Sequence, residues 1–267
     1  MSRNNHFILF QHLPLIYGRV PKVANSSIKA SLCRLLRQPA VQGLRSTSDS
    51  FWTKHTNGET TMIAASDVLK RQSSHFCFSF VRNPFDRIVS AYNNKIIEVA
   101  HLSRPMERMG LKHGMAFPDF IQCVCDTHDQ DLDVHLLPQA SMLCLRDRLV
   151  PHFVGHFESL ATHWSMLQQR LASEGLPGLG NLPSKNVRRQ PGADLHQHFA
   201  TDHLIELVHQ RYRRDFEVFY TANSLQSLLA GQASTPEPLQ QLHASGLRAR
   251  LRQLPIVGRL QSLFSQS

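Results

Sequence analysis

Short apolar runs alternate with segments of helical periodicity over most of the chain, from about residue 6 to residue 222. Short apolar runs are typical of buried strands, and the segments between them are long enough for helices that connect one strand to the next. This pattern predicts an α/β fold of three layers, similar to that of P-loop proteins. Its centre is a mostly parallel sheet flanked by helices.

The composition changes near the C-terminal end. TANSLQSLLAGQASTPEP is small and polar, and Leu247, Leu251 and Leu254 follow at helical spacing among arginines. We therefore expect one main domain over residues 1–222, followed over residues 223–267 by a linker and a basic amphipathic appendage. Such an appendage can contact an anionic membrane surface, bind an acidic partner or fold back on the main domain.

The first of two strand–loop–helix units is LIYGRVPKVANSSIKASLCRLL, residues 15–36. An apolar strand leads into a short loop and then into an amphipathic helix, with Ser26 or Ser27 as the expected N-cap. The loop places backbone N–H groups and the ammonium group of Lys22 at the positive end of a helix, where phosphate or sulfate binds. An ordinary strand-to-helix turn would give the same pattern, and the glycines of a Walker A loop are missing.

The second unit is HFCFSFVRNPFDRIVSAYNNKI, residues 75–96. Phenylalanines alternate along a predicted strand, and Asn83 followed by proline begins a helix. Arg82 then lies at the carboxyl end of the strand and Ser90 two turns into the helix, so both can bind one phosphate group. Loops that follow parallel strands emerge at one edge of a sheet, so the two units predict one crevice with two anion sites.

The charge balance also favours an anionic ligand. Lysine and arginine total 29 against 20 aspartate and glutamate, which gives a formal net charge of +9. The five cysteines are scattered and form no CxxC pair, so we expect neither a disulfide framework nor a metal site. The sequence has no RNA-binding motif with interleaved aromatic residues, so we expect no nucleic-acid partner.

Together the two units resemble the PAPS-dependent carbohydrate sulfotransferases, in particular the group of the chondroitin, dermatan and HNK-1 sulfotransferases. RVPKVANSSIKASL is similar to the loop that binds the 5′-phosphosulfate in that family, and FVRNPFDRIVSAYNNKI is similar to its 3′-phosphate motif. Weaker similarities follow in DVHLLPQASMLC, HFVGHFESL, LPSKNVRRQ and YRRDFEVF. The resemblance covers about residues 14–222.

The resemblance implies transfer of a sulfuryl group from PAPS (3′-phosphoadenosine 5′-phosphosulfate) to a hydroxyl group of a carbohydrate. It implies that Arg82 and Ser90 bind the 3′-phosphate and that Lys22 is the catalytic lysine of the 5′-phosphosulfate loop. The residues of that loop are Pro21, Lys22, Val23, Ala24, Asn25, Ser26 and Ser27. A sulfuryl group carries less negative charge than a phosphoryl dianion, so we expect no metal ion.

The acceptor hydroxyl must lose its proton, so we expect a general base near the sulfur atom. His55 is the first choice, because the interval between the two PAPS motifs often supplies the base in related sulfotransferases. A solvent-exposed loop histidine would look the same in the sequence. His135, Glu59 and His113 are the other candidates.

Two residues are expected to contact the acceptor, His135 and Arg188. Arg188 lies with Lys185 and Arg189 in the basic cluster KNVRR, which suits PAPS or an acidic sugar chain. Charge clusters of this kind are also common as solvated loops.

Two other functions fit the same sequence. One is a non-catalytic module that binds polyanions through its positive charge, and the other is a nucleotide-dependent kinase with a degenerate phosphate loop. The N-terminal segment lacks the apolar core of a signal peptide, and no apolar stretch is long enough for a transmembrane helix. A cytoplasmic protein of bacterial origin is therefore expected, with a Golgi lumenal domain that has lost its anchor as the alternative.

Overall fold

The computed structural model describes residues 5–38, 45–183, 195–221, 223–230 and 237–241. Within these ranges the strands are β1 (Asn5–Phe10), β2 (Leu15–Gly18), β3 (Thr60–Ala64), β4 (Phe76–Val81), β5 (Cys144–Leu145), β6 (Arg148–Leu149), β7 (Phe153–His156) and β8 (Leu239–Gln240). All of them except β5 and β6, which pair with each other, belong to one central sheet.

The helices within the same ranges are α1 (Asn25–Leu32), α2 (Asp49–Lys54), α3 (Ala65–Leu69), α4 (Pro84–Tyr92), α5 (Arg104–Arg108), α6 (Phe117–Asp126), α7 (Gln139–Leu143), α8 (Leu160–Ser173), α9 (Leu195–His198), α10 (Asp202–Arg211), α11 (Arg213–Phe219) and α12 (Leu225–Leu229). Turns of 3-10 helix at Cys33–Leu35 and Phe157–Ser159 follow α1 and precede α8. A π-helical turn at Asn93–Glu98 continues α4.

The central sheet has the strand order β3-β1-β2-β4-β7-β8. β2 pairs in parallel with β4, and β4 with β7. The outer pairs are antiparallel, including β1 with β2, because the four residues between these two strands allow a hairpin but no crossover. The predicted α/β class is confirmed, and the parallel pairing is concentrated at the centre of a mixed sheet.

Helices cover the parallel strands. Every residue of β2, β4 and β7 is buried, as expected for parallel strands that are covered on both faces. α8 packs against β7, and α3 packs against β1 and β3. The predicted arrangement of a central sheet flanked by helices is therefore confirmed.

The second strand–loop–helix unit folds as its sequence predicts. β4 ends at Val81, and α4 begins with Pro84 in its first turn. The side chain of Asn83 caps the helix, since its Oδ1 accepts a hydrogen bond of 3.1 Å from the backbone N–H of Phe85. Arg82 consequently lies between the carboxyl end of a buried parallel strand and the start of a helix.

The first unit begins its helix earlier than predicted. α1 starts at Asn25, and its N-cap is Ala24, which supplies no side-chain hydrogen bond. The prediction of Ser26 or Ser27 as N-cap is wrong, because Ala24 has a left-handed conformation (φ 60°) that turns the chain into the helix two or three residues sooner. Ser27 instead donates its backbone N–H to the Ala24 carbonyl oxygen at 2.9 Å.

Part of the predicted C-terminal linker packs against the rest of the fold. Leu228 and Leu229 in α12 are buried, and β8 pairs with β7 through Val154 and Leu239. The chain returns to the edge of the sheet because that edge strand offers unpaired backbone groups. The predicted basic appendage begins after these elements and lies outside the described residues, so the division of the chain at residue 222 stays a prediction.

His156 at the end of β7 is a buried neutral histidine. Its Nε2 lies 3.0 Å from the carbonyl oxygen of Phe219, so this nitrogen carries the proton. Its Nδ1 is buried, with no hydrogen-bond partner among the described residues. Burial lowers the pKa of His156 to about 4, because a second proton would place an uncompensated charge in the core.

We expect the free energy of unfolding to fall as the pH is lowered from 6.5 towards 4. In that window the unfolded chain binds a proton at His156 that the folded protein does not, so this residue contributes a slope of about 1.4 kcal/mol per pH unit. Urea unfolding at a series of pH values measures the slope. His156→Gln should reduce the slope by about this amount, while His6, whose pKa burial also lowers to about 4, keeps its own contribution. The exposed control His128→Gln should leave the slope unchanged, and equal slopes in all three proteins would contradict the assignment.

Candidate functional site

The loop that follows β2 has a strained backbone at its centre. We call residues 19–24 the Lys22 loop. Lys22 and Ala24 both have positive φ angles, 70° and 60°. Residues other than glycine rarely adopt this conformation, and each instance costs about 1 kcal/mol or more. Turns of this type direct successive backbone N–H groups towards one point and so form anion-binding concavities.

The first turn of α1 continues this set of donors. The backbone N–H groups of Asn25 and Ser26 precede the first hydrogen bond of the helix, so α1 leaves them available. Asn25 and Ser26 are partly exposed, whereas Ser27 is buried. The positive end of the helix dipole strengthens the attraction for an anion at this point.

Other residues of the predicted phosphosulfate loop serve to anchor it. Val23 is buried in the hydrophobic core, and Pro21 is buried as well. The side chain of Asn25 accepts a 3.1 Å hydrogen bond from the hydroxyl group of Tyr17, and burial raises the pKa of Tyr17, so this phenol stays a donor. Lys22 and Ala24 are partly exposed, so the two left-handed positions face the solvent side of the loop.

Arg82 joins the second unit to the Lys22 loop. Its Nη1 lies 3.4 Å from the carbonyl oxygen of Lys22. The guanidinium group also lies over the ring of Phe157, 4.4 Å from its centre, and its Nη2 is 3.9 Å from Asp86 Oδ1. The side chain keeps 15% of its surface exposed. The two predicted anion loops therefore meet at the carboxyl ends of β2 and β4.

The backbone of Arg82 is clamped by Gln139. The side-chain oxygen of Gln139 accepts a 2.9 Å hydrogen bond from the N–H of Arg82, and its side-chain nitrogen donates a 2.8 Å bond to the carbonyl oxygen of Arg82. Asp215 in turn accepts hydrogen bonds from the backbone N–H groups of Gln139 and Ala140 at 2.9 and 2.7 Å. Asp215 thus caps the start of α7 and fixes the clamp.

Arg87 is a buried residue whose role the sequence did not reveal. Its guanidinium group donates hydrogen bonds to three backbone carbonyl oxygens, those of Pro21 (3.1 Å), Leu137 (2.8 Å) and His135 (3.3 Å). Burial lowers the pKa of Arg87, and the nearby carboxylate of Asp215 counters part of this effect. Arg87 therefore holds the Lys22 loop and the segment around His135 in one fixed arrangement.

Ser90 lies on α4, and His135 lies in the loop before α7. Ser90 is partly exposed on α4, and its hydroxyl group has no hydrogen bond to any described residue. His135 is 30% exposed, and its Nδ1 lies 2.7 Å from Asp133 Oδ1. Burial lowers the pKa of His135, and the charges of Lys95 and Lys22 lower it further.

The preferred base candidate of the sequence makes no side-chain hydrogen bond or ion pair with the described residues of this region. His55 ends α2, six residues and about 9 Å along the helix from Asp49. Asp49, at the start of α2, is the residue of that helix that interacts with His135 through its charge. No hydrogen bond or ion pair joins the side chain of His55 to another described residue.

The remaining candidates from the sequence lie elsewhere. Glu59 accepts hydrogen bonds from the backbone N–H groups of Arg37 and Gln38 at 2.8 and 2.9 Å, which gives it a structural role. His113 is exposed between α5 and α6. Arg188, with Lys185 and Arg189, falls outside the described residues.

Two further findings concern the described ranges alone. They contain no group of three or more histidine, cysteine, aspartate or glutamate side chains arranged to hold a metal ion. Within the same part of the chain, no helix has the length and apolar character needed to cross a membrane.

Comparison with known proteins identifies the family. The sequence profile of the Sulfotransferase family matches residues 5–221, and the chain belongs to this family. It is 23% identical over 230 residues to carbohydrate sulfotransferase 10 of Xenopus laevis, an alignment that covers 77% of this chain and 64% of that protein. No solved structure matches significantly.

Two mouse proteins show similar levels of identity. Carbohydrate sulfotransferase 14 of Mus musculus is 23% identical over 80% of this chain and 59% of its own length. Carbohydrate sulfotransferase 8 of Mus musculus is 25% identical over 77% of this chain and 52% of its own length. The chain thus spans between half and two thirds of these relatives. The resemblance inferred from the two loops is confirmed at the level of the family.

The comparisons also correct one expectation. A cytoplasmic protein of bacterial origin was expected from the sequence. The relatives that match are carbohydrate sulfotransferases of animals, which contradicts that expectation. The expectation relied on the lack of an apolar leader, and that observation concerns the residues of this chain only.

Proposed function

We propose that this protein is a PAPS-dependent carbohydrate O-sulfotransferase. The observation that carries the proposal is the 3.4 Å contact between Arg82 and the carbonyl oxygen of Lys22, which joins two anion-binding loops at one edge of the sheet. A ligand with two separated anionic groups fits this arrangement, and PAPS has a 3′-phosphate and a 5′-phosphosulfate. Membership of the Sulfotransferase family supports the use of a sulfate donor.

The Lys22 loop and the start of α1 are assigned to the 5′-phosphosulfate. The N–H groups of Asn25 and Ser26 would bind its oxygens together with the ammonium group of Lys22. Sulfuryl transfer moves negative charge onto the oxygen that bridges sulfur and phosphorus, because the bond from this oxygen to sulfur breaks. A lysine directed at that oxygen stabilises the transition state more than the ground state.

Arg82 and Ser90 are assigned to the 3′-phosphate. Arginine binds phosphate through two parallel N–H donors, and the stacking on Phe157 and the clamp from Gln139 hold Arg82 in place for that geometry. Ser90 adds one hydroxyl group from α4. This division of roles gives the protein a means to distinguish PAPS from nucleotides without a 3′-phosphate.

A carbohydrate hydroxyl group is the proposed acceptor. This part of the proposal is supported by the three relatives described above, each of which is a carbohydrate sulfotransferase. A peripheral membrane contact through the basic C-terminal segment stays a prediction, because that segment lies outside the described residues.

Calorimetric binding of PAP, the product without the sulfuryl group, tests the nucleotide site. We expect wild-type protein to bind PAP more tightly than ADP, which lacks the 3′-phosphate. Arg82→Ala should weaken PAP binding by about 100-fold, because charge-assisted hydrogen bonds contribute about 1.5–3 kcal/mol each. Arg213→Ala is a matched control, since Arg213 is 71% exposed and pairs on the surface with Glu217.

Each alternative function has its own signature in this experiment. Equal affinity for PAP and ADP, with magnesium-dependent ATP binding, would favour a kinase. Binding of heparin-like polyanions that weakens steeply with salt, without PAP selectivity, would favour a non-catalytic module. PAP binding that survives Arg82→Ala unchanged would show that the 3′-phosphate assignment is wrong. Labelled PAPS with a set of carbohydrate acceptors then tests transfer itself.

A further inference from the structure

We propose that His135 is the proton acceptor of the transfer step and that Asp133 is the positioning residue that orients it. This inference rests on the proposed sulfotransferase function. It replaces the histidine that sequence position favours with the one whose backbone is linked to the Lys22 loop through Arg87. The two residues lie in the loop before α7.

The hydrogen bond between the two side chains determines the tautomer of His135. Nδ1 lies 2.7 Å from Asp133 Oδ1, and an ionised carboxylate can only accept. Nδ1 therefore carries the proton of the neutral ring, and the lone pair is on Nε2. A ring in this tautomer can take a proton on Nε2 while the carboxylate stabilises the resulting charge.

Asp133 is itself held in place. It is buried, its Oδ2 accepts a 2.7 Å hydrogen bond from the hydroxyl group of Ser103, and its Oδ1 also accepts the backbone N–H of His135 at 2.9 Å. Burial alone would raise the pKa of Asp133, but the hydrogen bonds from His135 and Ser103 outweigh it and bring the pKa to about 2. Asp133 is thus a fixed, charged acceptor at neutral pH.

Arg87 fixes the position of His135 relative to the Lys22 loop. One guanidinium group donates to the carbonyl oxygens of both His135 and Pro21, at 3.3 and 3.1 Å. Pro21 is the immediate neighbour of Lys22 in the chain. A fully buried guanidinium with three carbonyl partners has little freedom to move, so the histidine and the catalytic lysine keep a constant spacing.

The charges that face His135 keep its ring neutral. Burial lowers the pKa of His135 more than the hydrogen bond that it donates to Asp133 raises it, and the ammonium groups of Lys95 and Lys22 lower it further. The negative charge of Asp49 on α2 acts in the opposite direction, and the guanidinium of Arg87 donates a hydrogen bond to the backbone carbonyl oxygen of His135. A neutral imidazole is the form that a general base requires.

The proposed transfer step accounts for each bond that forms or breaks and for the proton of the acceptor. The oxygen of the acceptor hydroxyl forms a bond to the sulfur of PAPS, and its proton moves to Nε2 of His135. The bond between sulfur and the bridging oxygen breaks, and its electron pair stays on the 5′-phosphate of PAP, where Lys22 stabilises it. His135 later releases the proton to solvent through its exposed face.

Steady-state kinetics and PAP calorimetry on the same variants test the assignment. His135→Gln should lower kcat by about 100-fold or more, while PAP affinity stays within about twofold of wild type. Asp133→Asn should lower kcat by about 10- to 100-fold, because the ring loses its preferred tautomer. His128→Gln is the matched control, since His128 is exposed, and it should keep wild-type kcat.

The pH profile separates a base from a merely structural residue. The acid limb of kcat/KM should fall below pH 6.5 in the wild type, because protonated His135 cannot accept a proton. Lys95→Met removes a positive charge that lowers the pKa of His135, so the acid limb should move to higher pH. A structural role for His135 would not produce this shift.

The outcomes distinguish this inference from the function on which it rests. Near wild-type kcat in His135→Gln, or loss of transfer in His55→Gln instead, overturns the assignment and leaves the sulfotransferase proposal standing. An acid limb that Lys95→Met does not move also overturns it. Wild-type protein that neither binds PAP nor transfers sulfate overturns both.

Discussion

Lys22→Ala should lower the rate of sulfuryl transfer from PAPS by about 1,000-fold. Removing one preorganised donor at a developing oxyanion costs about 2.7–4 kcal/mol in comparable enzymes, and Lys22 carries a full charge. PAP affinity should fall less, by about tenfold, because the charge on the bridging oxygen is largest in the transition state. The expected signature is thus a larger effect on rate than on binding.

Three features of the structure support this expectation. Lys22 lies in the strained part of its loop, with φ at 70°, where the backbone is shaped for an anion. Its carbonyl oxygen contacts Arg82 at 3.4 Å. Its positive charge contributes to the lowered pKa of His135. The proposed sites for the donor and for the base are thus both linked to this loop.

Single-turnover transfer of labelled sulfate measures the rate, and calorimetry measures PAP affinity on the same protein. Lys70→Ala is the matched control, because Lys70 is 72% exposed and its pairing with Asp67 is a surface contact. Transfer by Lys22→Ala within tenfold of wild type, in a protein with unchanged thermal unfolding, would show that another residue stabilises the leaving group.

The sequence predicts those parts of the site whose signals are local. Arg82 lies between a run of buried phenylalanines and the Asn83–Pro84 helix start, so strand end, cap and helix are all encoded within a few residues. The start of α1 was placed wrongly because the Lys22 loop has left-handed residues at lysine and alanine. Only glycine would have marked such positions in the sequence.

The residues that hold the site in place could not be read from local patterns. Gln139 binds the backbone of Arg82 across 57 positions, and Asp215 binds Gln139 across 76. Arg87 reaches back 66 positions to Pro21. Each is a polar residue buried by tertiary packing, and periodicity alone gives such a residue no special mark. The sequence signal available for Gln139 and Asp215 was the similarity of DVHLLPQASMLC and YRRDFEVF to segments of the family.

Local patterns were also insufficient to choose among the histidine candidates for the general base. With 16 histidines in the chain, sequence position favoured His55 over His135. The distinguishing feature is the pair of contacts that His135 makes, one from its ring to Asp133 and one from its backbone to Arg87. Asp133 is only two residues from His135, so an Asp-x-His pattern ahead of a predicted helix could have favoured His135 as the candidate base.

Asp215→Ala should lower the free energy of unfolding by about 3–5 kcal/mol, the range found when one partner of a buried charged network is removed. The variant leaves the N–H groups of Gln139 and Ala140 without acceptors at the start of α7. It also removes the carboxylate that offsets the buried charge of Arg87. Both losses act on groups that water cannot reach, so no solvent hydrogen bond replaces them.

Urea unfolding with linear extrapolation measures this change. Asp147→Asn is the matched control, because Asp147 is 90% exposed and its 2.6 Å ion pair with Arg214 lies in solvent, so the loss of its charge should cost at most about 1 kcal/mol. Asparagine is chosen because Asp147 has a left-handed backbone, with φ at 63°, which alanine adopts less readily. Asp215→Asn keeps one acceptor oxygen for two N–H donors and should fall between wild type and Asp215→Ala. Equal losses in Asp215→Ala and Asp147→Asn would show that Asp215 does not stabilise the start of α7. A large loss in Asp215→Ala alone would show that this carboxylate holds α11 against α7.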